Sequence, residues 1–207
     1  MENTLYVLGG SPCAGKSAVA EELVRRYGCA YFKFDDYLDD FIRRGAAKGN
    51  ALLKRVLTMT PEQTWMRDPQ EQCDEEWAIY EAIAPFAWNE IARLGQKRPV
   101  LAEGAGLLPP LVKRKGLDAR HACYVVPSKP FQTAHYRERN FIKYVLARCS
   151  DVEQAFDRWM ERDALYALRI WQEAREQGYE TYAVDGSRPL EDTIAFVESS
   201  FGLVTQE

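Results

Sequence analysis

Eight consecutive residues carry the strongest chemical signal in the chain: Gly10, Ser11, Pro12, Cys13, Ala14, Gly15, Lys16 and Ser17. They fit Gly-x-x-x-x-Gly-Lys-Ser/Thr at every fixed position. That spacing suits a loop wrapped around a polyphosphate. The glycines permit unusual dihedrals and close approach, and successive backbone N–H groups form an anion-binding nest. A helix opening at Lys16 and Ala18 adds the favourable end of its dipole. Lys16 is expected on an exposed loop, with its charge on the β- and γ-phosphates. Ser17 is expected to offer a hydroxyl to Mg²⁺. Cys13 is read as a small filler within the loop. The competing reading is a glycine-rich strand-to-helix turn with a surface lysine.

Further along the chain, four polar groupings are suited to phosphoryl chemistry. Asp35 and Asp36 follow the apolar run Ala30–Phe34; one carboxylate could accept a proton from an attacking hydroxyl while the other holds Mg²⁺ through water. Asp35 is the favoured base, and Asp36 or Asp39 has the alternative role of capping the next helix. Glu103 and Gly104 close the apolar run Val100–Ala102, where an acid can serve metal or substrate and a glycine permits backbone approach. Arg137 and Arg139, the first of a series that continues with Arg148, Arg158 and Arg162, offer guanidinium forks for the charge of a moving phosphoryl group; their alternative is a solvated face. The stretch Asp185-Gly186-Ser187-Arg188-Pro189 leads into the last helix.

These groups need a frame. Five short apolar runs read as strands: Leu5–Leu8, Ala30–Phe34, Val100–Ala102, Cys123–Val126 and Thr181–Val184. Most are separated by segments of helical period, which predicts an α/β fold with a parallel sheet covered on both faces. Helices are expected at Lys16–Tyr27, Asp74–Leu94 (kinked at Pro85), Asp151–Gln177 and from Leu190 to before Gly202. The segment 37–99 is long for a simple crossover, and is read as a helical cap over the site.

The loop Gly10–Ser17, the acidic strand end Asp35-Asp36, Glu103-Gly104, the arginine-bearing region and Asp185–Arg188 occur in an order that resembles the small P-loop kinases. That group includes adenylate kinase, shikimate kinase, chloramphenicol phosphotransferase and the zeta-toxin type of sugar-nucleotide kinase. The resemblance implies a three-layer fold with a five-stranded parallel sheet ordered 2-3-1-4-5. It also implies one domain over residues 1–207, with a substrate cap at about 37–98 and a lid at about 131–150. ATP and Mg²⁺ are the implied cofactors, with Arg188 near the nucleotide base and Asp35, Asp36, Glu103 and Gly104 facing a small-molecule phosphoryl acceptor. The lid's alternative is one continuous helix over Phe131–Ala147. Two departures stand out: there is no Asp-x-Asp at the second strand, and the third strand ends in Glu rather than Asp.

The bulk properties agree. A length of 207 residues suits one α/β domain. A net charge of −4 argues against a nucleic-acid coat. The five cysteines are widely spaced with no Cys-x-x-Cys, which fits a reducing, cytoplasmic setting better than a disulfide framework or zinc site. The N-terminal residues read as a first strand rather than a leader, and no apolar run is long enough to span a bilayer. The expectation is a monomeric or homodimeric phosphotransferase with no nucleic-acid or membrane partner. The rival is a regulatory NTPase switch that has no acceptor.

Overall fold

The computed structural model describes residues 4–203. Five strands, β1 (Leu5–Gly10), β2 (Ala30–Lys33), β3 (Val100–Glu103), β4 (Ala122–Pro127) and β5 (Glu180–Val184), form one sheet in the order β2-β3-β1-β4-β5. Every pairing is parallel. The predicted α/β class and the 2-3-1-4-5 order are those observed. β3 and β4 are buried along their whole length, as parallel strands covered on both sides must be.

Helices α1 (Lys16–Tyr27) and α10 (Leu190–Phe201) cover one face, around a core that includes Leu8, Val19, Leu23, Val125 and Val197. Between β2 and β3 run a 3₁₀ turn (Phe34–Tyr37) and helices α2 (Leu38–Ala47), α3 (Ala51–Val56), α4 (Pro61–Trp65) and α5 (Pro69–Leu94). Short α6 (Pro109–Arg114) follows β3; α7 (Lys129–Arg137), α8 (Phe141–Leu146) and α9 (Val152–Glu176) lie between β4 and β5. The larger core, which holds Phe32, Phe34, Ile83, Tyr124 and Tyr166, lies on this second face.

The local signals explain where the elements start. α5 begins five residues ahead of the expected Asp74, because Asp68 accepts from the amides of Gln70 and Glu71 and Pro69 takes the first helical position. It continues through Pro85 to Leu94. α4 opens on a reciprocal capping box between Thr60 and Gln63. Neither Asp36 nor Asp39 caps α2: Tyr37 stands at that position and makes no side-chain capping bond. The region 131–147 is two helices rather than one, broken at Glu138–Asn140. No helix among the described residues is long and apolar enough to cross a membrane.

The turn after β3 fixes how the segment that follows β2 meets the sheet. Gly104 has φ +146°, and a Cβ there would lie 2.3 Å from the Cβ of Phe34; one on Gly106 would lie 2.3 Å from the Phe34 ring. Phe34 is fully buried and meets Phe41 and Tyr80 edge to face, so the two glycines make the slot that seats the first residue after β2. Gly104→Ala combines an unfavourable φ with overpacking, and is expected to cost roughly 2–4 kcal/mol. Urea unfolding checks this; an unchanged midpoint would mean that Phe34 moves aside freely.

Candidate active site

β1 runs directly into the phosphate-type loop. Gly10 has φ +138°, and a Cβ there would sit 1.8 Å from the carbonyl oxygen of Val125, its register partner on β4. Gly15, at φ +77°, is the N-cap of α1. Cys13 is the one non-glycine with positive φ among the described residues, at 65°. A left-handed residue with a side chain costs about 1–2 kcal/mol, so Cys13 is a strained member of the nest rather than a neutral filler.

Lys16 is buried, contrary to the expectation of an exposed loop. Its Nζ donates to the Ser11 carbonyl at 2.6 Å, and among the described residues no carboxylate lies within ion-pair distance of it. Burial pushes its ammonium below the usual lysine range, against the opposing pull of Glu103 and Asp35. On the cleft wall, the buried indole N–H of Trp159 has no hydrogen-bond partner within the protein. A buried cation and a nest of positive-φ residues together fit a polyanion.

Beside this loop, Ser17 Oγ donates to Glu103 Oε1 at 2.9 Å, and the Tyr31 hydroxyl donates to the same oxygen at 3.0 Å. Burial, followed by the Glu103 charge, raises the Tyr31 phenol well above its ordinary range, so it remains a donor. Glu103 is 2% exposed and ends β3, so two fixed hydroxyls hold it one bond away from Ser17. Hard oxygens of this kind suit Mg²⁺, which keeps waters and phosphate ligands and needs few protein groups. Among the described residues there is no cluster of three or more His, Cys, Asp or Glu that would form a self-sufficient metal cage.

The loop floors a cleft of about 630 Å³. Asp35 lines it, as do Lys33, Glu103 and Arg139. Asp36 is exposed and does not, and Gly104 serves the Phe34 slot instead. Arg137 also lies outside: it pairs with Glu153 at 3.3 Å and sits over the Phe156 ring. Arg139, at the break between α7 and α8, sits over Tyr136 and turns into the cleft. On the other side of Cys13–Gly15 lies a second cavity of about 380 Å³, with Arg139 and Arg188 on its walls along with Phe131 and Leu190.

The sequence reading passed over Glu76 and Tyr80 of α5, which line the cleft beside Arg162 of α9, the last of the arginine series. Arg162 pairs with Glu76, and its Nε lies 2.6 Å from Asp163 Oδ1. That contact is a charge pair outside hydrogen-bonding alignment, since both atoms lack a hydrogen-bond partner. Asp163 is 1% exposed and takes a 2.7 Å bond from Gln132 Nε2. Burial raises its carboxyl above the usual range, with Arg162 pulling the other way. A signal was present: Asp163 interrupts the apolar stripe Phe156, Trp159, Ala167, Ile170, where a charged residue must find partners.

No protein-family model and no curated protein matches the chain. Solved structures do. A gluconokinase from Sinorhizobium meliloti superposes with a TM-score of 0.50 at 15% identity, over 99% of this chain and 95% of that one. A shikimate kinase from Bacteroides thetaiotaomicron gives 0.51 at 12% identity, over 97% and 99%. The chain has the fold of the P-loop small-molecule kinases. A P-loop kinase fold with this little sequence identity fixes the frame and leaves the chemistry to the site itself.

Lys16→Met tests the uncompensated charge. The unfolded chain holds the Lys16 proton more tightly than the folded one, so between the depressed folded value and the ordinary 10.5 the stability of ligand-free protein should rise with pH. Lys16→Met should abolish that slope and stabilise the ligand-free protein at pH 7 by about 1–4 kcal/mol. Urea midpoints for both proteins at pH 7 and 10 check it; a destabilised variant with the slope retained would contradict it.

Proposed function

We propose that the protein is an Mg²⁺- and ATP-dependent phosphotransferase acting on a hydroxyl of a small molecule. The observation that carries the reading is the disposition of two cavities about one loop. The 380 Å³ cavity, beside Arg188 and Leu190, is of a size for a nucleoside. The 630 Å³ cleft holds Lys16, Ser17 and Glu103 together with Asp35 on the side of the cap. A switch NTPase has no use for an acceptor chamber with its own carboxylate.

In this reading the backbone from Gly10 to Ala18 cradles the phosphates, and Lys16 supplies the buried positive charge. Ser17 would hold Mg²⁺, with Glu103 orienting the Ser17 hydroxyl and the metal's waters. The metal, when bound, neutralises charge on the β- and γ-phosphates. Asp35 takes the proton of the acceptor hydroxyl as its oxygen bonds to the γ-phosphorus. The bond from that phosphorus to the β–γ bridging oxygen breaks, and ADP leaves with the electron pair. Arg139 faces the equatorial oxygens, where the negative charge spreads. The segments 37–98 and 131–150 act as cap and lid, excluding water that would otherwise consume ATP.

Screening nucleosides, sugars, antibiotics, hydroxy acids and neutral alcohols for ADP release above background tests the activity. With the acceptor found, Asp35→Asn should leave ATP affinity nearly unchanged and lower turnover by roughly 10²–10⁴. A wild-type rate would remove Asp35 from the reaction. Arg139→Ala should lower turnover by at least about tenfold, whereas Arg137→Ala, outside the cleft, should stay within about twofold of wild type. Equal losses at both positions would contradict the assignment of Arg139 alone.

A further inference from the structure

Two carboxylates are buried among the described residues, Glu103 and Asp163. Glu103 serves Ser17, but Asp163 has no part in the proposed reaction and is not on the wall of the cleft. It lies one turn beyond Trp159, on the buried side of α9. Opposite stand Gln132 and Tyr136, one turn apart on α7 and the two buried residues of that helix. Gln132 Nε2 donates to Asp163 Oδ2 at 2.7 Å, and the Tyr136 ring lies 5.3 Å from that of Trp159, centre to centre. The Tyr136 phenol also neighbours the Asp163 carboxylate. Burial, and then the Asp163 charge, raise it well above its ordinary range.

The rest of this contact is apolar. Tyr136, Ile142 and Leu146 pack with Phe156, Trp159 and Met160. Apolar surfaces are permissive about register, since one side chain can replace another of similar bulk. A buried carboxylate is not. Slid by one helical turn, about 5.4 Å, Asp163 would lose Gln132 and face carbon instead. Buried polar pairs are best attested in this use, fixing register where greasy contacts leave it open.

The register of α7 matters because of what the helix carries. It ends at Arg137, and Arg139 follows in the break before α8. The Arg139 guanidinium carbon lies 4.9 Å from the centre of the Tyr136 ring and 6.0 Å from that of Phe141. Arg139 lines both the cleft and the 380 Å³ cavity, and Phe131 and His135 of α7 line the second. A displaced α7 would move all three walls at once.

We propose that Asp163 is a positioning residue: through its bond to Gln132 it sets the register of α7 on α9, and so holds Arg139 over Tyr136 where the two cavities meet. The value of that placement to catalysis rests on the phosphotransferase reading, but the placement itself is measured in ligand-free protein. The NMR signal of the Arg139 Nε–H, identified by its loss in Arg139→Ala, reports it, because nearby aromatic rings shift it away from the solvated arginines. Gln132→Met keeps the bulk and removes the donor; the signal should move to the solvated position and cease to respond to MgAMP-PNP. Asp163→Asn should leave the signal in place, because two amides can bond in either orientation and Gln132 Oε1 is unpaired. For MgAMP-PNP affinity, Arg139→Ala and Gln132→Met should each cost about tenfold, and the double variant no more than either. A role in general stability would make the two losses multiply, and that result overturns the proposal. So does a wild-type Arg139 signal at the solvated position, or one that Gln132→Met leaves unmoved. Should Gln132→Met fail to fold, Asp163→Asn decides: a displaced signal there means that charge acts rather than register. If wild type binds no MgAMP-PNP, the phosphotransferase reading falls, while the ligand-free signals still judge this proposal.

Discussion

A positive charge is held out of water at Lys16 without a carboxylate to answer it, and much of the site is arranged around that fact. The sole bond from its Nζ is to the Ser11 carbonyl. Two of the acids that pull on it are engaged elsewhere: Glu103 accepts from Ser17 and Tyr31, and Asp163 is held by Gln132 and Arg162, while Asp35 lines the cleft without an ion pair to it. These bonds keep Glu103 and Asp163 from collapsing onto the lysine. The cost falls on the ligand-free fold, which carries a desolvated cation and a left-handed Cys13 side by side. Such strain persists only where the surroundings over-determine it, and here β1, β4 and α1 do so through Gly10 and Gly15.

The charges divide the molecule into two chemical regions. Around the loop, cations lie unpaired by carboxylates, as Lys16 does, or turned into the cleft, as Arg139 is. Between α4, α5 and α9, Arg67 and Arg162 each have a glutamate. Arg162 lines the cleft too but is paired on both sides, with Glu76 at one end of the guanidinium and Asp163 against its Nε. Asp35 stands near the boundary, in the 3₁₀ turn that follows β2.

Sheet order, the P-loop and the placement of Asp35 and Glu103 were legible because each depends on local rules: strand period, glycine spacing, and the position of a residue at a strand's carboxyl end. What was not legible depends on direction and tertiary cover. Arg137 and Arg139 lie two residues apart, and the helix breaks between them and α8, so no periodicity says which one turns inward. Lys16 looked exposed because nothing local reveals that the surrounding elements enclose it. The start of α5 was missed because the apolar stripe begins later than the Asp68–Pro69 cap. Asp163 was visible as an anomaly in its stripe, but its partners come from α7 and from its own helix, and only assembly brings them to one point.

The segments on either side of the cleft are buckled to each other. Glu62 of α4 accepts from the amide and hydroxyl of Ser150, at 2.7 and 2.8 Å. Trp65 stacks on Trp159 with ring centroids 4.0 Å apart, and Arg158 donates to the Met66 carbonyl. The segments stay together while these contacts last. Breaking one stack and two or three hydrogen bonds costs about 2–5 kcal/mol. At tenfold per 1.4 kcal/mol, the parted form then has a share between about one in thirty and one in several thousand. The two walls are thus one mechanical piece for most of the time, and a substitution at Ser150 loosens α4 as surely as one at Glu62 does.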